Sequence, residues 1–189
     1  MSNILATTSF TTSSLQAIHN IFNQDISYSS VSIPLPTGGT YILPLTAFLS
    51  NPNSSKLESF GLSLDTLYDR FAVNLYRFLD EVTTNSVPNL NQGNVPGFRI
   101  LIALPDGTVF FDSSKRASGL NTYSNFISKK INENHASRIY VRHAIEKGVG
   151  IESKWSSSTK GLETYLTTRI GFVPENTIGV LSFSHTNVN

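Results

Sequence analysis

Four histidines are the residues of this sequence best suited to binding a metal: His19, His135, His143 and His185. His135 and His143 stand eight positions apart, whereas common zinc pairs are three to five apart, and no His-Glu-x-x-His occurs. The sequence contains no cysteine, which excludes disulfides, thiolate metal sites and cysteine nucleophiles. We therefore predict no metal site and no cofactor, and expect the histidines at the surface or at helix ends.

Motifs for nucleophilic or phosphate chemistry are also missing from the sequence. There is no Gly-x-Ser-x-Gly elbow around a serine and no Walker-type phosphate loop. Gly148-Val149-Gly150 precedes a predicted strand rather than a helix, so it cannot present helix N–H groups to a phosphate. This pattern instead predicts a helix C-cap followed by a tight turn. We expect a protein that is not an enzyme.

The charge balance argues against a nucleic-acid partner. Lys and Arg number 14 against 13 for Asp and Glu, so the net charge is +1 and no global field attracts anions. A modest basic cluster surrounds the two central predicted helices: Lys129, Lys130, Arg138, Arg142 and Lys147. A nucleic-acid surface would need more charge and interleaved exposed aromatic side chains.

The first third of the chain predicts a short helix and a hairpin. Residues 2–14 are rich in Ser and Thr and predict a weakly ordered arm. Ser14 can cap a helix that runs through Phe22 with one apolar face. Residues 27–46 alternate as two strands around Gly38-Gly39. Three prolines in this hairpin cannot donate to a ladder, so it should lie at a sheet edge or pack separately: Pro34, Pro36 and Pro44.

A long amphipathic helix begins near Ser63, which is a good N-cap. Its apolar stripe spans about five turns: Leu64, Leu67, Phe71, Leu75, Phe78, Leu79 and Val82. The second half then predicts five strands at 98–104, 108–112, 149–155, 162–170 and 178–184, and two helices at 122–132 and 136–147. We predict an α+β fold with a five-stranded antiparallel sheet and helices on one face. The predicted division is an N-terminal arm over 1–60 and a domain over 61–189.

Residues 97–184 resemble a Cache-type domain, the PAS-like sensor module. The features that carry the resemblance are Pro-Asp-Gly-Thr at 105–108, Val-Phe-Phe-Asp at 109–112, Gly148-Val149-Gly150, Leu-Glu-Thr-Tyr-Leu-Thr-Thr-Arg-Ile at 162–170, and the last strand at 178–184. The resemblance implies that helix 64–82 is the N-terminal helix of such a module. The Pro-rich hairpin departs from the family, and neither a membrane span nor an output domain accompanies the module. We therefore expect a soluble, stand-alone binder.

The resemblance also implies a ligand pocket between a helix end and the facing strand. Its candidate residues are Tyr140, Arg142, Trp155, Tyr165 and Arg169. Arg offers a fork for a carboxylate, while Tyr and Trp offer apolar walls with a polar tip. The ligand implied is a small organic acid or amino acid. The alternative is that Trp155 and Tyr140 belong to the core and that Arg169 pairs with a neighbouring strand's glutamate.

A second function stays open at this point: a structural or protein-interaction component, such as a viral packaged protein, with the same fold and a filled pocket. Large side chains facing the cavity would favour it: Phe110, Phe111 and Phe126. Its partner would be another protein or a second copy of the chain. Residues 1–15 lack a basic region and a long apolar stretch, which predicts no signal peptide. We expect a protein that is intracellular or associated with a particle.

Overall fold

The computed structural model describes residues 12–51, 59–81, 99–128, 131, 137–156, 161–170 and 174–188. The helices are α1 (Thr12–Gln24), α2 (Leu45–Ser50), α3 (Leu64–Glu81), α4 (Tyr123–Ile127) and α5 (Ile139–Lys147). The strands are β1 (Ser30–Pro34), β2 (Thr40–Pro44), β3 (Arg99–Ala103), β4 (Val109–Asp112), β5 (Val149–Ser156), β6 (Gly161–Ile170) and β7 (Gly179–Val188).

Five of these strands form one antiparallel sheet in the order β4-β3-β7-β6-β5. This confirms the predicted α+β class and the five-stranded antiparallel sheet. The helix predicted over 122–132 is shorter, because it ends at Ile127. There the hydroxyl of Ser128 donates to the Ser124 carbonyl at 2.8 Å, a local bond that competes with continuation of the helix. The next helix begins at Ile139 rather than near 136.

The proline-containing hairpin is a separate two-stranded sheet, as predicted. Gly38 and Gly39 make its turn with φ of 95° and 83°, values that favour glycine. The hairpin packs on α3, where the Asn74 amide donates to the Ser30 carbonyl at 2.7 Å. Its buried side chains, together with those of α1 and α2, belong to the same core cluster as the large sheet. A domain boundary at residue 60 stays a prediction.

Helix α3 begins as the sequence predicts, because the Ser63 hydroxyl accepts the Thr66 N–H at 3.1 Å. Most of the predicted stripe is buried, and Val82 lies outside the described residues. Phe78 packs edge-on against Phe183 of β7 with ring centroids 5.7 Å apart. Phe22 of α1 lies 5.1 Å from the ring of Phe78. Helices α1 and α3 therefore cover the sheet face that carries Phe183, which we call the α3 face.

Helix α5 covers the opposite face. Residues paired between neighbouring antiparallel strands share a face, so Leu166 lies beside Phe183 while the adjacent Tyr165 lies beside Ser184 on the other side. Tyr140 of α5 packs on Tyr165, and we call this side the α5 face. The helices thus cover both faces of the sheet, whereas the sequence pattern had placed them on one.

Candidate functional site

Two tyrosines stack where α5 begins above the sheet. The rings of Tyr140 and Tyr165 are nearly parallel, with an interplanar angle of 3° and centroids 4.5 Å apart. Helix α5 reaches this position because β5 has no side chain at Gly150, where a Cβ would lie 2.3 Å from the Tyr140 carbonyl oxygen. Gly148 ends the helix with φ of 93° and returns the chain into β5.

Two carboxylates hold these tyrosines. The Tyr165 hydroxyl donates to Glu163 Oε2, and the two residues share a face because they are two apart on β6. Glu152 lies opposite Tyr165 in the ladder, and its Oε2 accepts the Tyr140 backbone N–H at 3.2 Å. That N–H is in the first turn of α5, where a negative charge is favourable. One carboxylate therefore holds the Tyr165 hydroxyl, and the other holds the backbone where α5 begins.

A guanidinium also lies near the Tyr165 ring. Arg99 opens β3, and its guanidinium carbon is 5.9 Å from the ring centroid. The ladder places Ser184 between Arg99 and Tyr165, and Glu152 beyond Tyr165, so these four residues form a row across four strands. We call the group of Arg99, Tyr140, Glu152, Glu163 and Tyr165 the tyrosine site.

Burial controls the protonation of the two phenols. Tyr140 and Tyr165 are only 1% and 4% exposed. Burial raises the pKa of Tyr140 to about 12. Burial and the hydrogen bond to Glu163 raise the pKa of Tyr165 well above its ordinary value. Both hydroxyls are consequently protonated donors at neutral pH.

The charged members of the site are less deeply buried than the tyrosines. Arg99, Glu152 and Glu163 are each half-buried, so they border the buried ring pair. Opposite charges that border one pair of aromatic rings are suited to a zwitterion, whose ammonium and carboxylate need different partners. Among the described residues, no group of three or more His, Asp or Glu side chains could hold a metal ion.

The structure brings together two of the five residues suggested by the resemblance, Tyr140 and Tyr165. Arg142 is exposed on α5. Trp155 is 59% exposed and lies on the α3 face, because it pairs with Leu162, three residues from Tyr165. Arg169 is on the α5 face, but its Nη1 donates to the Ile145 carbonyl at 2.8 Å, at the far end of α5. Ligand contact by these five residues stays a prediction.

Sequence reasoning did not place Arg99, Glu152 and Glu163 in a site. Glu163 could have been found from its spacing to Tyr165, since residues two apart on a strand share a face. Arg99 and Glu152 join the site through strand order and ladder register, which no local pattern in the sequence specifies.

A second, more apolar feature lies on the α3 face. A groove of about 620 Å³ opens between α1, the hairpin and the sheet. Its lining includes Phe22, Leu45, Ile170, Ile178 and Leu181, and also Arg169, one of the five residues that the resemblance suggested. Two of the phenylalanines that could have filled a ligand pocket pack on α3 instead. Phe110 packs on Tyr68, and Phe111 packs on Tyr76. These rings leave the tyrosine site unaffected.

Comparison with known proteins gives structural matches only. No protein-family model and no curated protein sequence matches the chain. It is similar to the ligand-binding domain of Campylobacter jejuni chemoreceptor Tlp3 in complex with 4-methylisoleucine, with 11% identity and a TM-score of 0.40, covering 92% of this chain and 54% of that one. It is also similar to the Tlp3 sensory domain with isoleucine bound, with 11% identity and a TM-score of 0.38, covering 98% of this chain and 60% of that one.

The chain thus spans somewhat more than half the length of these two structures. Within the described ranges, no helix is both long and apolar enough to cross a bilayer.

Proposed function

We propose that this chain is a non-enzymatic ligand-binding module of sensory type, whose ligand is a free amino acid or a closely related small organic acid held at the tyrosine site. One observation carries the proposal: the stacked pair of Tyr140 and Tyr165 is bordered both by a carboxylate, Glu163, and by the Arg99 guanidinium. An α-amino acid presents the complementary pair of charges on one carbon.

Each half of the ligand has a chemically suited partner. The Arg99 guanidinium can form two parallel hydrogen bonds to a carboxylate. Glu163 and the electron-rich faces of the tyrosine rings suit an ammonium group. Glu152 serves a different purpose, since it fixes the first turn of α5 through the Tyr140 N–H. Because the two tyrosine rings are already stacked on each other and buried, little conformational entropy is lost when a ligand binds.

The test measures the contributions of the ligand's ammonium and carboxylate groups separately. Thermal unfolding is measured with a panel of L-amino acids, each compared with the amine lacking its carboxylate and the acid lacking its ammonium. A ligand at 100 times its Kd adds about 2.7 kcal/mol, which corresponds to a rise in Tm of roughly 5 to 10 °C in a chain of this size. We expect at least one zwitterion to exceed both of its halves.

Two arginine variants locate the site. Arg99→Gln should lower the affinity for the best amino acid at least tenfold by calorimetry, because the carboxylate loses its partner. Arg142→Gln is the matched control: it removes the same group from an exposed position of α5 and should leave affinity within twofold. If no compound in the panel raises the Tm, or if both variants bind alike, the proposal is wrong.

A further inference from the structure

Strand β5 exposes an apolar row at an edge of the sheet. In the described part of the chain, β5 pairs with β6 alone, so its outer side offers unpaired backbone groups. Val149, Ile151 and Trp155 share the α3 face and are 47%, 48% and 59% exposed. Leu162, paired with Trp155 on β6, is 41% exposed. An exposed edge with this apolar row is typical of a surface to which another strand adds.

The sequence of this edge is complementary to itself. On either side of Ser153 stand Glu152 and Lys154, and beyond them Ile151 and Trp155. In a two-fold antiparallel pair centred on Ser153, Glu152 of each copy lies opposite Lys154 of the other. Ile151 likewise lies opposite Trp155. Opposed residues share a face and contact each other, so the α5 face of the joint carries two ion pairs and the α3 face two apolar pairs.

We propose that β5 is a homodimer interface, in which two copies pair antiparallel about Ser153 and join their sheets edge to edge. Directly opposed unlike charges and aromatic–aliphatic pairs stabilise an antiparallel pair, whereas like charges opposed at the same positions destabilise it. A register shifted by two residues loses both ion pairs. The pattern of charges therefore specifies one partner, a second copy, and one register.

The helix above the strand leaves room for this pairing. Helix α5 crosses the first half of β5, since a Cβ at Gly150 would meet the Tyr140 carbonyl and the Ala144 nitrogen. Antiparallel pairing puts the first half of one β5 beside the second half of the other. Gly150 lies opposite Ser156 of the second copy, and the two α5 helices stand at opposite ends of the joint.

The expected affinity is moderate. The four apolar side chains expose on the order of 400 Å² per copy. Two copies together bury an area at the low end of specific interfaces, which corresponds to a Kd of about 1 to 100 μM. Sedimentation velocity between about 1 and 300 μM should show a monomer–dimer equilibrium. The single tryptophan of the chain, Trp155, reports the same transition by a blue shift of its fluorescence as it leaves water.

Charge reversal tests the register. Lys154→Glu sets two acidic residues against each other twice in the dimer, and Glu152→Lys does the same with basic residues. Each variant alone should weaken dimerisation at least tenfold. A mixture of the two should restore it as a heterodimer, because every opposed pair is again of unlike sign. Lys147→Glu, at an exposed position of α5, is the control and should dimerise like the original chain.

A cysteine on the two-fold axis gives an independent readout. Directly opposed residues have Cα atoms about 4.5 to 5.5 Å apart, within the range that a disulfide spans. Because the chain has no other cysteine, Ser153→Cys should form a disulfide-linked dimer under mild oxidation at concentrations where Ser118→Cys, exposed elsewhere, does not. A chain that stays monomeric to 300 μM overturns the proposal. So does a dimer that neither responds to charge reversal nor cross-links through position 153.

Discussion

The two faces of the large sheet are both covered by helices, but the side chains between helix and sheet differ in kind. On the α3 face, Phe183 contacts Phe22 and Phe78 with ring centroids 6.1 and 5.7 Å apart. On the α5 face, the buried Thr167 hydroxyl donates to Ser182 at 2.9 Å. Both contacts are fully desolvated, yet one is apolar and the other polar.

Because of this difference, we connect the α3 face with the stability of the fold and the α5 face with ligand recognition. Apolar burial is non-directional and tolerates many arrangements, so the α3 face supplies stability without specifying a ligand. Buried polar groups are costly unless their partners are well placed. The α5 face meets that requirement with ordered hydroxyls, carboxylates and an arginine, which are the groups that distinguish one small molecule from another. We expect mutations on the two faces to differ accordingly.

The strongest test of this comparison removes an apolar contact. Phe78 is fully buried and touches Phe22, Tyr28 and Phe183. Phe78→Ala should lower the free energy of unfolding by about 3 to 5 kcal/mol in urea titration, because it leaves a cavity in a packed cluster. Val73→Ala, at an exposed position of the same helix, should change it by less than about 1 kcal/mol. A loss below about 2 kcal/mol for Phe78→Ala would mean that the α3 face is not the main core.

The next test moves α5 away from its face. Gly150→Ala introduces a Cβ 2.3 Å from the Tyr140 carbonyl oxygen, so the helix must shift. The unfolding free energy should fall by about 2 to 3 kcal/mol, and binding at the tyrosine site should be lost as well. Ser153→Ala, on the same strand, removes only a hydrogen bond to the Thr164 hydroxyl at 2.9 Å, so it should cost no more than about 1 kcal/mol and preserve binding. Binding that survives in Gly150→Ala would show that α5 does not position the site.

Alkaline pH sharpens the comparison, because both stacked phenols are on the α5 face. The pKa of Tyr140, about 12 in the folded chain, lies above its ordinary value of about 10. The folded state thus holds this proton more tightly than the unfolded state. The resulting stability is complete below pH 10 and is lost as the pH rises towards 12. Tyr165 acts in the same direction.

Replacing one phenol should reduce that loss. Between pH 9 and 12, the unfolding free energy of Tyr140→Phe should fall by about 2 kcal/mol less than that of the original chain. The difference between the two proteins is the quantity to measure, since titration of their other groups is common to both. Identical pH profiles would show that the Tyr140 hydroxyl is not protected by burial.

The fold could largely be predicted because its signals are local. Apolar spacing specifies α3, Gly38-Gly39 specifies the hairpin turn, and the turn at 105–108 specifies the pairing of β3 with β4. The strand at 149–155 is likewise predictable, but the exposure of its apolar side chains is not. The two-residue period of a strand shows which side chains share a face. It does not show whether that face is covered by the core or by a partner.

The site was less predictable because it depends on pairing across strands. The tyrosines are 25 positions apart in sequence, and Arg99 comes from a strand 66 positions before Tyr165. Only the order β3-β7-β6 and its register bring them into one row. Tyr165 and Arg169 share a face of the sheet. Helix α5 runs along that face, however, and its C-terminal end contacts Arg169.

The smallest expected effect concerns Arg169. Its Nη1 donates to the Ile145 carbonyl at 2.8 Å, one of the terminal carbonyls of α5 that lack a helical partner. A cation there also interacts favourably with the helix dipole. Arg169→Gln should therefore cost about 1 kcal/mol, seen as a fall in Tm of roughly 2 to 4 °C, while amino-acid affinity stays within twofold of the original. About 13 Å of strand separates positions 165 and 169, which is too far for a small ligand stacked on Tyr140 and Tyr165 to need the second arginine. The opposite result, lost binding at unchanged Tm, would place the ligand between Tyr165 and Arg169 and would rule out Arg99 as its main anchor.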